Sequence, residues 1–373
     1  MSVSQYVLDL AYSLTSCVMC FPSPQVRING RTYKMLRVLG EGGFSYVYLV
    51  QAAGSGELLA LKKIRCPFGP ESLQHVLREV DAYKTFAGSR YVIGMVDFAV
   101  VQESGSHGGG QKTVYVLLPY FRSGNLQDAI NAHLVNRTAY DERELLELFA
   151  GIARGVQAMH RHRPGAGGGE ERSRSLAPTT EASGLMAPSA SRSPTRDADA
   201  GGSPYADAAD STMVPYAHRD IKPANIMLAE NGRPMLMDLG SCVPARTRVT
   251  SRSQALEIQD VAAEHCTMPY RAPELFDVKT DTTLDEKVDI WSLGCTFFAL
   301  MYNASPFELE TADMGASLSL AVTSGRYRFP DSPLYSEATK DIVRGCLVVE
   351  PTARADIEDV IMRVETAQRA LGA

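Results

Sequence analysis

Several features are missing from this chain of 373 residues, and each absence narrows what it can be. Its seven cysteines show no paired CxxC spacing. No secretory signal precedes them either, so the expectation is reduced thiols in a cytosolic compartment. No apolar run approaches the roughly 20 residues needed to cross a bilayer. The G-x-x-x-x-G-K-[ST] pattern is absent, which sets aside a P-loop ATPase. Surplus positive charge is missing too. Thirty-seven Lys and Arg stand against 43 Asp and Glu, a formal net charge of -6, which gives no reason to expect a nucleic-acid partner. What remains is 45% hydrophobic and 21% charged, ordinary for a globular chain long enough to bury one large core or two packed lobes.

The apolar pattern divides this length. Residues 1–29 read as a short N-terminal segment of apolar and small polar residues. From Tyr33 to Leu118 the apolar residues recur in short strand-like runs, such as Tyr46-Val47-Tyr48-Leu49-Val50 and Leu58-Leu59-Ala60-Leu61. One helix interrupts them, with Leu73, Val76, Leu77 and Val80 at helical spacing behind Pro70 and Glu71. The glycine-rich run from Ser104 to Gly110 reads as a hairpin connection. Beyond Ser123-Gly124 the period changes. Leu145, Leu146, Phe149, Ile152, Ala153, Val156 and Met159 mark a long helix with a wide apolar face. Helical patterns dominate again from Val288 onward. The expected fold class is therefore α+β and bilobal, with a small β-rich lobe over residues 30–118 and a larger helical lobe over 119–373.

One stretch fits neither pattern. Of the 52 residues in 164–215, 31 are Ala, Ser, Gly or Pro, and Tyr205 is the only aromatic. Such a composition buries too little apolar surface to offset ordering entropy, so the stretch reads as a disordered insert. Its Ser193-Pro194 and Ser203-Pro204 steps are candidate targets of other kinases.

The chemistry gathers in four places, and together they match what phosphoryl transfer demands: positioning and charge neutralisation around a loose transition state. Gly40-Glu41-Gly42-Gly43-Phe44-Ser45-Tyr46-Val47 lies between two strand-like runs, where glycines let the backbone approach phosphates closely. Ser45 takes the place of the usual third glycine. Lys62 follows 22 residues after Gly40, two after Ala60, and can reach the α- and β-phosphates; Lys63 is the competing candidate. Glu79 sits 17 residues further on, where a carboxylate can hold Lys62 extended. His218-Arg219-Asp220-Ile221-Lys222-Pro223-Ala224-Asn225 is the most specific run. Asp220 can accept the proton of a substrate hydroxyl, Asn225 can bind Mg²⁺, and Lys222 suits transfer to serine or threonine. Asp238 in Asp238-Leu239-Gly240 follows an apolar run and stands where a metal-binding aspartate belongs, with leucine replacing the usual phenylalanine. Ala272-Pro273-Glu274 follows 34 residues after Asp238; Glu274 is expected to pair with Arg354, and Asp289 to anchor the catalytic loop or simply cap its helix. The order of these parts points to an active kinase using ATP and Mg²⁺. A pseudokinase scaffold is the alternative, disfavoured because Lys62, Asp220, Asn225 and Asp238 are all retained.

The wording of Leu39 to Val47, Leu117-Leu118-Pro119-Tyr120-Phe121 and Leu236-Met237-Asp238-Leu239-Gly240-Ser241 resembles the Numb-associated kinase family. Within it the likeness is to the myristoylated and palmitoylated serine/threonine kinases and their fungal vacuolar relatives. The resemblance spans about residues 17–365 apart from the insert. It implies that Leu118 lines the back of an adenine pocket and that Pro119, Tyr120 and Phe121 form the hinge. The family's extra activation-segment helix corresponds to 254–264, with Leu256, Val261 and Ala263 as its expected packing residues. Constitutive activity is expected, tuned by autophosphorylation at Thr247, Thr250, Ser251 or Ser253 near Arg246, Arg248 and Arg252; Arg219 is of the kind that pairs with such a phosphate. Cys17 and Cys20 match positions acylated in the family and are candidates for palmitoylation, whereas Ser2 rules out N-myristoylation here. Residues 6–14 hold no Lys or Arg to draw them to anionic lipid. The implied setting is the cytoplasmic face of an internal membrane, Golgi or vacuole, with a cytosolic pool, protein substrates and a monomeric kinase domain.

Overall fold

Strand-forming residues in the first third build one antiparallel sheet. The computed structural model describes residues 24–67, 69–103, 111–164, 213–314 and 317–372. Its six long strands are β1 (Gln25–Ile28), β2 (Arg31–Glu41), β3 (Ser45–Ala52), β4 (Leu58–Cys66), β5 (Asp97–Glu103) and β6 (Gln111–Pro119), in the spatial order β1-β2-β3-β4-β6-β5. One face buries Ile28, Tyr33, Val50, Leu59, Leu61 and Leu117 in a small core of their own. The sheet curls so that its two edges approach. Asn29, in the β1–β2 turn, donates from Nδ2 to Asp97 Oδ1 at 2.9 Å and to the Phe98 carbonyl at 3.0 Å. Strand β1 corrects the expected boundary at residue 30: the sheet already begins at Gln25, because Ile28 is needed to close the end of that core.

Helix α1 (Gly69–Thr85) crosses behind the sheet and buries Val80, Ala82 and Tyr83. The larger part of the chain is helical. It contains α2 (Leu126–Asn136), opened by a capping box between Asn125 and Asp128, and α3 (Glu142–His160), capped by Asp141. All seven apolar positions expected to mark α3 are buried. Next come α4 (Arg252–His265), α5 (Lys287–Tyr302), α6 (Pro306–Met314), α7 (Leu318–Ser324), α8 (Glu337–Cys346) and α9 (Ile357–Gly372). Helix α5 is buried on every side from Val288 to Tyr302, as a helix apolar all round must be. Phe297 on α5 stacks on Phe149 of α3 at 3.9 Å between centroids, and burying each such ring contributes roughly 1.5–3 kcal/mol. The fold is thus the bilobal α+β arrangement, a sheet-rich lobe joined to a helical one at Pro119–Phe121.

Two further expectations need correction. Val214 and Pro215, counted with the insert, belong to the packed body: the Val214 amide donates to the His162 carbonyl at 2.9 Å, and the buried Pro215 accepts from Ala245 at 2.8 Å. In α4 the packing residues are Ala255, Ile258 and Ala262; Leu256, Val261 and Ala263 face outward. Small side chains let this helix lie close to the segment around Phe276 and Val278, where Gln259 bonds to both backbones. The insert proper, Cys17 and Cys20 lie outside the described residues. No described helix is long and apolar enough to cross a membrane.

Candidate active site

The cleft is built in rows by the register of the sheet. Gly40 pairs with Val47, Val47 with Lys62, and Lys62 with Val116, so these four share one face across adjoining strands. The next row toward the hinge is Leu49, Ala60 and Leu118. Leu118 is buried on that face, while Pro119, Tyr120 and Phe121 are half-buried just beyond it. At the other end the β2–β3 turn closes through mutual backbone hydrogen bonds between Gly42 and Ser45. It leaves Glu41, Gly42, Gly43 and Phe44 exposed over the cleft, with Leu39, Ser45 and Tyr46 half-buried at its base. A side chain at Gly42 would come within 3.0 Å of Ser45 Oγ, so the serine hydroxyl would have to shift to admit one.

Lys62 Nζ lies 2.7 Å from Glu79 Oε1 and 2.9 Å from Asp238 Oδ1. Burial pulls the ammonium toward neutrality, but the two carboxylates more than reverse this and keep it firmly charged. Burial likewise raises the Asp238 carboxyl, and the Lys62 ammonium overrides it and holds Asp238 below the usual carboxylate range. Asp238 is set in place by a short hairpin, β7 (Ile226–Leu228) with β8 (Pro234–Leu236). Leu236 ties that hairpin to the upper lobe through bonds to Tyr91 and Ile93, both 2.8 Å. Asp238 then takes a left-handed conformation, φ 58°, turning its carboxylate into the cleft while Leu239 plugs the core completely.

The loop carrying Asp220 hangs from Asp289 on α5. Asp289 Oδ2 accepts from the His218 amide at 2.7 Å and lies 3.1 Å from His160 Nε2; Oδ1 accepts from the Arg219 amide at 2.8 Å. Burial opposes ionisation of Asp289, yet His160, His218 and the Arg219 amide together keep its pKa low. Asp289 therefore anchors the loop from within the first turn of its helix, and the capping alternative does not hold. Asp220 is contacted on both oxygens. Thr267 donates to Oδ1 from its amide at 3.0 Å and its hydroxyl at 2.7 Å. Lys222 Nζ lies 2.8 Å from Oδ2, and Asn225 Nδ2 2.9 Å. Lys222 also donates to Thr267 Oγ1 at 2.6 Å. Asn225 spends both amide protons on Asp220, its carbonyl and Oδ2, which leaves the amide oxygen for a cation.

Among the described residues no group of three or more His, Cys, Asp or Glu could hold a metal ion by itself. The Asn225 oxygen and the Asp238 carboxylate are an all-oxygen pair of the type Mg²⁺ takes when phosphate oxygens and waters complete its shell, so the residues present fit that ion. The space between Phe44, Lys62, Asp220, Lys222 and Asp238 is a cleft of about 670 Å³. Such a cleft can hold a triphosphate beside a hydroxyl acceptor.

The remaining candidates lie apart. Thr247 is in a two-residue strand paired with Leu284, Ser251 caps α4 through its hydroxyl, the Thr250 hydroxyl donates to Gln254, and Ser253 is exposed in the first turn. Arg219 is at the opposite end of that helix. It lines a small cavity of about 40 Å³ with His75, Arg78, Ser241 and His265, and none of the four hydroxyls lines it. Among the described residues Arg219 makes no hydrogen bond or ion pair with any of the four. Three contributors had no sequence signal: His160 beneath Asp289, the His75–His265 ring stack, and Arg271, whose guanidinium donates to the Cys266 carbonyl at 2.8 Å just past α4. The expected pair of Glu274 and Arg354 is formed, at 2.8 and 2.9 Å.

Comparisons with known proteins agree with this geometry. A family model described as the protein kinase domain matches residues 33–163 and 215–364, passing over the insert. Serine/threonine-protein kinase ENV7 of Saccharomyces cerevisiae is 38% identical, across 93% of this chain and 95% of its own length. Serine/threonine-protein kinase ppk13 of Schizosaccharomyces pombe is 34% identical, across 92% and 93%. Serine/threonine-protein kinase 16 of Mus musculus is 31% identical over 92% of each.

Proposed function

The chain belongs to the protein kinase family and is a serine/threonine protein kinase, and from that premise we propose that it is constitutively active and works at the cytoplasmic face of an internal membrane. Within the family we place it with the Numb-associated kinases, on the wording of its glycine loop and the helix α4 in its activation segment.

In the proposed reaction the acceptor hydroxyl attacks the γ-phosphorus of ATP, the bond to the β–γ bridging oxygen breaks, and ADP leaves. Asp220 receives the hydroxyl proton. Lys222 neutralises charge on the phosphoryl group in transit, and Thr267 holds both in register. Lys62, kept extended by Glu79, takes the α- and β-phosphates. Leu39, Val47 and Leu118 enclose the adenine, and the backbone of Pro119–Phe121 meets its edge. Mg²⁺ held by Asn225 and Asp238 would neutralise phosphate charge and orient the γ-phosphoryl group.

One observation carries the constitutive reading. The Lys62–Glu79 pair is closed while α4 is held by contacts the chain makes for itself: the Ser251 cap, Gln259 on Phe276 and Val278, and Arg271 on Cys266. Autophosphorylation at Thr247, Thr250, Ser251 or Ser253 then tunes an enzyme already assembled. Phosphatase-treated protein tests this: turnover close to that of untreated enzyme is expected, and loss of turnover overturns it. Acyl chains on Cys17 and Cys20 provide the membrane anchor in this proposal, since two chains satisfy the requirement for stable attachment that one does not. The kinase domain acts as a monomer on protein Ser and Thr residues.

A further inference from the structure

We propose that the β1–β2 hairpin presents a cluster of cations, Arg27 and Lys34 on its outward face and Arg31 at its tip, to an anionic membrane surface, working together with acyl chains on Cys17 and Cys20. This rests on the membrane reading above and supplies what residues 6–14 lack, a positive charge for the lipid headgroups. The chain is acidic overall, at -6, yet between Asp9 and Glu41 it has no Asp or Glu and four cations: Arg27, Arg31, Lys34 and Arg37.

The register places two of them together. Arg27 stands opposite Thr32 and Lys34 opposite Gln25, on the face of the hairpin turned away from buried Ile28 and Tyr33. Arg31 pairs with Ile28 on the other face and is exposed at the turn, the tip of the hairpin. On the next strand Lys34 meets Gln51, so no carboxylate enters from that side. Arg27, Arg31 and Lys34 make no ion pair with any described residue. Of the acidic groups on neighbouring segments, Glu57 is exposed in the turn before β4, and Asp97 is already engaged by Asn29 at 2.9 Å. Arg37 is different, since its guanidinium lies 3.4 Å from the hinge hydroxyl of Tyr120. Charged residues also guard sheet edges against pairing. Lys34, though, lies one strand in from the edge, on β2 between β1 and β3.

The chain's exit fixes the geometry. The Pro24 carbonyl accepts from the Met35 amide at 2.8 Å, so the preceding segment leaves the sheet beside Lys34. An extended chain spans at most about 3.5 Å per residue, which places Cys20 within about 14 Å of Pro24. An acyl chain inserted from there draws the hairpin to within reach of the headgroups, whose field decays over about 8 Å at physiological salt. A basic patch plus an acyl chain is one of the combinations that make attachment stable.

The test uses the full chain purified without acyl groups, incubated with vesicles of phosphatidylcholine alone or with phosphatidylserine added. Binding to the anionic vesicles only, abolished by high salt, is expected. The variant Arg27→Glu/Arg31→Glu/Lys34→Glu should bind at least about 100-fold more weakly, since each cation contributes about fivefold in partitioning at an anionic leaflet. Its phosphotransfer to a soluble peptide should not change. Equal binding by wild type and variant, equal binding to neutral and anionic vesicles, or no binding to either overturns the proposal. Binding to an RNA oligonucleotide without binding to vesicles also overturns it, in favour of a nucleic-acid surface. The anchoring reading fails on a separate result, a Cys17→Ser/Cys20→Ser variant that stays in the membrane fraction of cells.

Discussion

The imidazole rings of His75 and His265 stack with centroids 5.0 Å apart and planes 24° from parallel. His75 stands one helical turn before Glu79 on α1, and His265 ends α4, two residues before Thr267. The stack therefore joins the helix that holds Lys62 to the segment that holds Asp220. Burial pushes the His75 pKa down, and the neighbouring His265 and Arg78 push it further, against an opposing pull from Glu264. Because the folded state resists the proton that the unfolded chain accepts at His75, the stabilisation that goes with its neutral ring is complete above about pH 6.5 and is lost as the pH falls below it. Thermal unfolding of wild type should lose more stability between about pH 7.5 and 5.5 than that of His75→Phe, which keeps a ring and cannot titrate. Identical slopes would remove His75 from the account.

Thr267 connects the two groups that handle the transferred phosphoryl, giving a bond to Asp220 and taking one from Lys222. Hydrogen bonds to charged groups are worth about 1.5–3 kcal/mol, so Thr267→Val should lower kcat by about 10- to 100-fold. Thr267→Ser retains the hydroxyl and should recover most of the rate. Steady-state kinetics on both variants decides this, and a serine variant as impaired as the valine one would mean that the methyl group's packing matters instead.

Arg354 is fully buried and forms a two-pronged bridge to Glu274, with further bonds to the carbonyls of Lys287, Val348 and Val349. Removing the arginine leaves a largely buried carboxylate, about 15% exposed, and several carbonyls unpaired. Arg354→Ala should cost about 3–5 kcal/mol in chemical denaturation. A loss below about 1 kcal/mol would show that water takes over these bonds.

The parts of the site that could be named from sequence are those whose geometry is local. Asp220 to Asn225 form one turn, and the spacing from Lys62 to Glu79 is fixed by a strand followed by a helix. What escaped was set by tertiary contact. Nothing in the sequence around His75 announces His265, 190 residues away. Nor does the composition of α4 reveal that its alanines face inward and its larger apolar residues outward, because that choice belongs to the surface it packs on. Strand β1 was missed for the same reason: four residues carry too little alternation to declare themselves, and only the curl of the sheet gives Ile28 a core to fill.

The central claim is phosphotransfer to serine or threonine by Asp220. Transfer of labelled phosphate from Mg-ATP to protein, with identification of the phosphorylated amino acid, measures it directly in wild type and in Asp220→Asn. Wild type should yield phosphoserine and phosphothreonine, and the variant should be slower by at least about 100-fold, the effect of losing a positioned base. Wild-type turnover no greater than that of Asp220→Asn, or label found only on tyrosine, would contradict it.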